Sequence, residues 1–168
     1  KVVSWGSNSE GQLGYVTSWQ VSEQPKAIPN LDGIVAVAAG YWHSLALSST
    51  GEVWSWGSNM RGQLGSGSTA SRTAPAKVQG LPQIAAVVAG EQHTLALSTT
   101  GKIWAWGYNN SGQVGNGTRA TQLTPVELAG LSGVKAIGAG ANHSLAVTED
   151  GSLYVWGSNA NRQLGDGG

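Results

Sequence analysis

Three histidines, His43, His93 and His143, stand 50 residues apart. Imidazole is the side chain best suited to ligate a transition metal or to move a proton near neutral pH. The regular spacing argues against both uses. Each histidine occupies the same slot of a recurring segment, so each falls in a different structural unit. No Asp or Glu recurs at a matching offset to orient a ligating ring. Each ring is therefore expected to satisfy local backbone groups. Nucleophilic chemistry has no better footing. The chain holds no Cys, which removes disulfides, thiolate metal sites and a cysteine nucleophile. Ser and Thr are plentiful, yet Gly-x-Ser-x-Gly does not occur. The glycine-rich stretch from Gly62 to Gly67 lacks the Lys-Ser/Thr ending of a phosphate loop. Acidic residues are sparse and scattered, which disfavours paired-carboxylate hydrolysis. The expectation is a non-enzyme with no cofactor and no metal.

The aromatic residues carry more information. Trp-Gly recurs at Trp5-Gly6, Trp56-Gly57, Trp106-Gly107 and Trp156-Gly157, in steps of 51, 50 and 50 residues. A period of this length marks a repeat array. The 168 residues divide into 1–51, 52–101, 102–151 and a short start of a fourth repeat at 152–168. Trp54 and Trp104 also repeat, and all six tryptophans are expected to pack. Removing the repeat leaves Tyr15, Trp19, Tyr41 and Trp42, which have no counterparts in the other copies. Tyr15 and Trp19 belong to a first-repeat loop one residue longer than its equivalents, with Val16 where the others have Gly67, Gly117 and Gly167. Residues that break a scaffold pattern are better candidates for recognition than those that keep it. Exposed Trp and Tyr are preferred interface anchors, so these four form the candidate binding set.

The elements that position them follow from the middle copy. Residues 84–90 form a short apolar run of small side chains, suited to a strand covered on both faces. Residues 93–98 alternate, with Leu95 and Leu97 on one face. A turn at Thr99-Thr100-Gly101 leads to residues 102–106, where Trp104 and Trp106 share a face. Gly107 opens a loop too rich in Gly and Asn for regular structure. After Pro125, residues 126–128 suit a short outer strand, because Pro is tolerated at a strand start or edge. The fold class is thus all-β: propeller blades of about 50 residues and four strands, about three per chain.

These residues carry a specific resemblance. Ala39-Gly40, His43-Ser44-Leu45-Ala46, Gly51, Trp56-Gly57, Asn59 and Gly62-Gln63-Leu64-Gly65 are similar to the regulator of chromosome condensation repeat. The pattern returns from Ala89 to Gly115, with Val114 replacing Leu, and from Ala139 to Gly165. Kelch repeats are similar in length, but their paired glycine is missing. The resemblance implies a seven-bladed propeller and a binding platform. Its members include an exchange factor for a small GTPase, a plant ultraviolet photoreceptor, ubiquitin-ligase adaptors and a secreted β-lactamase inhibitor. Fold alone does not choose among them. The photoreceptor carries a Gly-Trp-Arg-His element. The equivalents here, Gly40-Tyr41-Trp42-His43, Gly90-Glu91-Gln92-His93 and Gly140-Ala141-Asn142-His143, contain no Arg.

Composition sets the remaining bounds. Glycine supplies 26 residues and Trp 8, only 11% are charged, and nine basic residues balance nine acidic ones. Zero net charge argues against a broad nucleic-acid or anionic-membrane footprint. No run reaches the ~18 apolar residues of a membrane-spanning helix. Without cysteine the compartment stays open. Neither an initiator Met nor a signal peptide is visible, which suggests a processed or excised segment. Three periods cannot close a seven-bladed ring, and an open propeller exposes apolar blade faces. A fragment, a soluble arc and an oligomer-completed ring are the alternatives. Two copies supply enough repeats for a ring, so the expected partner is another copy of the chain or a different protein.

Overall fold

The computed structural model describes residues 1–167. Among them every regular element is a strand. β1 (Val3–Ser7) and β2 (Val21–Ala27) form a two-stranded sheet. A four-stranded sheet follows, with β3 (Ile34–Ala39), β4 (His43–Ser48), β5 (Val53–Gly57) and β6 (Arg72–Lys77) in chain order. The next repeats it with β7 (Ile84–Ala89), β8 (His93–Ser98), β9 (Ile103–Gly107) and β10 (Gln122–Glu127). The last is three-stranded, from β11 (Val134–Ala139), β12 (His143–Thr148) and β13 (Leu153–Gly157). All pairings are antiparallel between consecutive strands, as in propeller blades.

Sheets and sequence periods are out of phase. Trp-Gly closes the third strand of the three larger sheets, β5, β9 and β13, and lies in their counterpart β1 in the two-stranded sheet, so a period counted from it runs from the outer strand of one blade into the inner strands of the next. The outer strand also begins earlier than its proline suggests: Pro125 lies inside β10, and Pro75 inside β6. Each outer strand bonds on one side only, so the missing N–H is harmless. The pairing adjusts by a register shift, between Gln122 and Val126 in one blade and between Ser55 and Gly57 in the other.

The core lies between blades. Leu45, Leu47 and Val53 of the first four-stranded sheet meet Val87, Ala96 and Trp106 of the second. Leu95, Leu97 and Ala105 of the second meet Val134 and Ala146 of the third. Leu13, Tyr15, Ile28 and Leu31 cover Ala46 and Trp56. Each large side chain buried this way stabilises the arc by about 1.5–3 kcal/mol relative to exposure. The tryptophans divide by position. Trp56 and Trp106 are buried, and Trp54, Trp104 and Trp156 are partly so. Trp5 departs from its expected packing role, being 59% exposed. Its sheet has only two strands, and no inner strands cover the ring.

Candidate functional site

The loop after each third strand reaches into the following blade. The Gln12 carbonyl accepts hydrogen bonds from the Ser44 hydroxyl and the Trp56 indole N–H, both at 2.8 Å. The Gln63 carbonyl accepts from Thr94 at 3.0 Å and Trp106 at 2.9 Å. The Gln113 carbonyl accepts from Ser144 at 2.8 Å and Trp156 at 3.0 Å. The Gly of Gln-Leu-Gly serves this contact. At Gly65, φ is +67° and an added Cβ would lie 2.9 Å from Nε1 of Trp106. Asn59 shapes the loop from within: its Oδ1 accepts from Leu64 N–H while its Nδ2 donates to the Ser68 and Ala70 carbonyls. Asn109, which is buried, does the same in the next blade.

His43 and His93 join this junction rather than local backbone. His43 Nε2 lies 3.2 Å from the Thr94 hydroxyl, and His93 Nε2 lies 2.9 Å from the Ser144 hydroxyl. Each hydroxyl gives its proton to a Gln carbonyl, so it accepts from the imidazole. That assigns the proton to Nε2 and leaves a bare lone pair on Nδ1, which is buried without a partner in both rings. Desolvation, and to a lesser extent the charge of the next histidine, lowers His43 to about 3 and His93 to about 4. Both are neutral structural links at pH 7. The sequence signal was present: a Ser or Thr follows each histidine, at Ser44, Thr94 and Ser144. Among the described residues no three His, Cys, Asp or Glu side chains gather as a metal cage.

The four pattern-breaking aromatics separate. Tyr15 is 7% exposed and belongs to a core. Its hydroxyl donates to the Ser4 carbonyl at 2.8 Å, and Lys26 Nζ sits 4.8 Å from its ring centroid. It holds the variant loop rather than presenting a surface. Trp19, in the β1–β2 connection, is 88% exposed. Tyr41 and Trp42, in the β3–β4 turn, are 62% and 39% exposed, with ring centroids 4.4 Å apart at 63°. In an antiparallel meander, connections after first and third strands share one end, so all three lie on the same face of the arc. Tyr41 and Trp42 also line a groove of about 290 Å³ with Ser4, Trp5, Gln12 and Ser44. Trp5, read from sequence as a packing residue, thus joins the candidate surface.

The profile of the RCC1-like domain matches residues 1–168. Human WBSCR16 superposes with a TM-score of 0.84 at 31% identity, over 92% of this chain and 42% of that one. Yeast RCC1 (Prp20), solved with Kap60 bound to it, gives 0.81 at 28% identity, over 94% of this chain and 39% of that one. Among curated relatives, the human probable E3 ubiquitin-protein ligase HERC6 is 44% identical over 82 residues, covering 47% of this chain and 8% of that protein. The chain therefore spans about two-fifths of these solved relatives and less than a tenth of the ligase.

Proposed function

Because the chain belongs to the RCC1-like domain family, we propose that it acts as a non-catalytic β-propeller scaffold for protein–protein contact. One observation carries this reading: Trp19, Tyr41 and Trp42 are exposed on a single face of the arc. Rigid aromatic rings supply large contact area at low entropic cost and dominate interface energies. The yeast relative with Kap60 bound to it supports the same use of the fold. Affinity capture with the intact chain and with the Trp19→Ala and Trp42→Ala variants tests the reading. A partner held by the intact chain should bind the double variant about 30-fold more weakly, the effect of one 2 kcal/mol hot spot. Equal binding by the double variant would remove these residues from the interface.

A second reading adds self-assembly, with two copies completing a ring. The observation favouring it is that sheets of two and three strands flank the four-stranded ones. Unpaired edges and apolar faces of this kind are covered either by another copy or by further blades of the same chain. Regulatory use, as a small-GTPase exchange factor or a secreted enzyme inhibitor, is the alternative. Release of a fluorescent nucleotide from a GTPase separates the two, since a scaffold leaves the rate unchanged.

A further inference from the structure

Two equivalent loops meet the outer strand of the following blade differently. After β5, Gly67 N–H donates to the Leu123 carbonyl at 2.9 Å and ties the loop to β10. After β1, Val16 stands where that glycine is and faces Thr73 of β6 in place of Leu123. No backbone bond joins Val16 and Thr73 among the described residues. Gly67 makes its bond with φ at +79°. A β-branched valine is strained there, and Val16 does not adopt that conformation; Gln20, further along the longer loop, takes φ of +56° instead. The loop therefore stands off β6, and a cleft of about 300 Å³ opens between them. Its two walls are held together from within the chain, because the Gln12 carbonyl of this loop bonds Ser44 and Trp56 of the next sheet.

Glu10, Val16 and Gln20 line the cleft from the loop, and Arg72 and Thr73 from β6. Arg72 decides what it can hold. Residue 72 lies opposite Gly57, as Gln122 lies opposite Gly107 in the next blade, so the guanidinium is particular to this cleft. It is half-buried, and desolvation lowers its pKa from the ordinary value. Among the described residues it has no acidic partner; the ion pairs are Lys77–Glu52 and Lys102–Glu127. Glu10 lines the same cleft without pairing with it. A desolvated cation with no counter-charge is unfavourable. A carboxylate that accepts from both prongs of the guanidinium fork removes the imbalance. Glu10 repels a phosphate dianion more strongly than a single carboxylate. The lining is mostly polar, unlike the apolar pockets that enclose free small ligands. Apolar surface lies at the rim instead, where Val16 is 82% exposed and Trp19, next to Gln20, is 88% exposed.

From this geometry we infer that the cleft between the β1–β2 loop and β6 receives an aspartate or glutamate side chain of a partner protein. The carboxylate seats on the Arg72 guanidinium. Glu10 accepts a main-chain N–H of the same segment, and apolar residues beside the acid pack on Val16 and Trp19. Resting on the scaffold reading above, this names the chemistry that the partner presents. Charge complementarity to Arg72 selects the acid, and the apolar rim selects a protein to carry it, since Trp and Arg are the residue types that most often dominate interface energies.

A library of short displayed peptides, selected on the intact chain, supplies the probe. Selected peptides should carry Asp or Glu beside an apolar residue. One of them, synthesised with blocked termini, is then titrated by fluorescence anisotropy. Arg72→Gln installs the residue that Gln122 supplies at the equivalent position, so the fold tolerates it. It should weaken binding about 10-fold or more, the loss of a charge-assisted pair. Arg72→Lys should recover only part, because an ammonium lacks the fork. Changing the peptide's acid to its amide should match Arg72→Gln, and the two losses should not add. Val16→Gly lets the loop close on Thr73 and should weaken binding without removing a charge. Peptides that lack an acid, or that Arg72→Gln binds equally well, would overturn the cleft; their loss on Trp19→Ala would leave the scaffold reading standing. N-acetylglutamate α-amide binding as tightly as the peptide would mark a site for free carboxylates and overturn the protein partner. A chain that enriches no peptide would remove the inference, while affinity capture still decides the scaffold reading.

Discussion

At the scale of single residues, position within a blade decides what each aromatic or imidazole side chain does. Trp106 and Trp19 are the extremes, one fully buried with its indole bonded, the other almost wholly in solvent. Trp106→Ala should lower unfolding free energy by about 3–5 kcal/mol. Trp19→Ala should change it by less than about 0.5 kcal/mol, because it removes no buried group; urea unfolding of both variants checks the contrast. The histidines make a pH prediction. Their folded-state values, about 3 for His43 and about 4 for His93, lie below the ordinary 6.5. Below pH 6.5 the unfolded chain therefore binds protons that the folded chain refuses, and stability falls as the pH drops toward 4. Each ring contributes a slope of up to about 1.4 kcal/mol per pH unit in that window. His93→Gln should flatten the stability profile between pH 6.5 and 4 relative to the parent chain; an unchanged slope would mean that the ring is protonated in the fold. The sequence placed the histidines correctly in separate units but misjudged their partner. A 50-residue spacing shows equivalence, whereas a bond from one blade to the next requires the geometry.

At the scale of elements, the three inner strands of each blade were legible because apolar alternation and turn glycines bound them closely. The outer strand was less so. Its burial is partial, its pattern is interrupted by Pro75 or Pro125, and one-sided pairing tolerates what a central strand would not. The blade phase was likewise hidden, because Trp-Gly marks a period without saying where a sheet starts. Among the candidate residues singled out by subtracting the repeat, Trp19, Tyr41 and Trp42 are exposed. Tyr15 passed the same filter but is a core residue, since a departure from pattern can serve a local repacking as well as a surface. The exposure of Trp5 was not legible, because it keeps the pattern and is exposed only through the two-stranded sheet around it. The junction between sheets gives the element-scale prediction. Thr94 both accepts from His43 and donates to the Gln63 carbonyl. Thr94→Val keeps the shape but leaves the buried His43 N–H unpaired and takes from the Gln63 carbonyl one of its two donors, the other being Trp106, which costs about 1–3 kcal/mol. Thr94→Ser should retain most of the stability, and denaturant midpoints of the pair separate the lost hydroxyl from lost packing.

At the scale of the whole molecule, the arc is built from one junction repeated, and a repeated head-to-tail junction either closes into a ring or grows. Curvature decides which. Each copy aligns with about 42% of the WBSCR16 chain, so two copies at that curvature stop short of its full length. Closing two copies then requires each junction to rotate slightly further than in that relative. Growth avoids the rotation but loses translational freedom for every added copy. Closure forms its last junction between ends already held close, at an effective concentration far above that in solution. In the proposed ring of two copies that rotation is shared among all the junctions. The proposed self-assembly therefore predicts that sedimentation of this chain over a wide concentration range reaches a plateau at twice 17.2 kDa, and a mass that stays at 17.2 kDa removes that reading. Because the net charge is zero and the junction is made of apolar contacts and neutral hydrogen bonds, the plateau should hardly move with added salt. Masses that keep rising with concentration would show that the arc retains the curvature of its relatives and that its two ends do not meet.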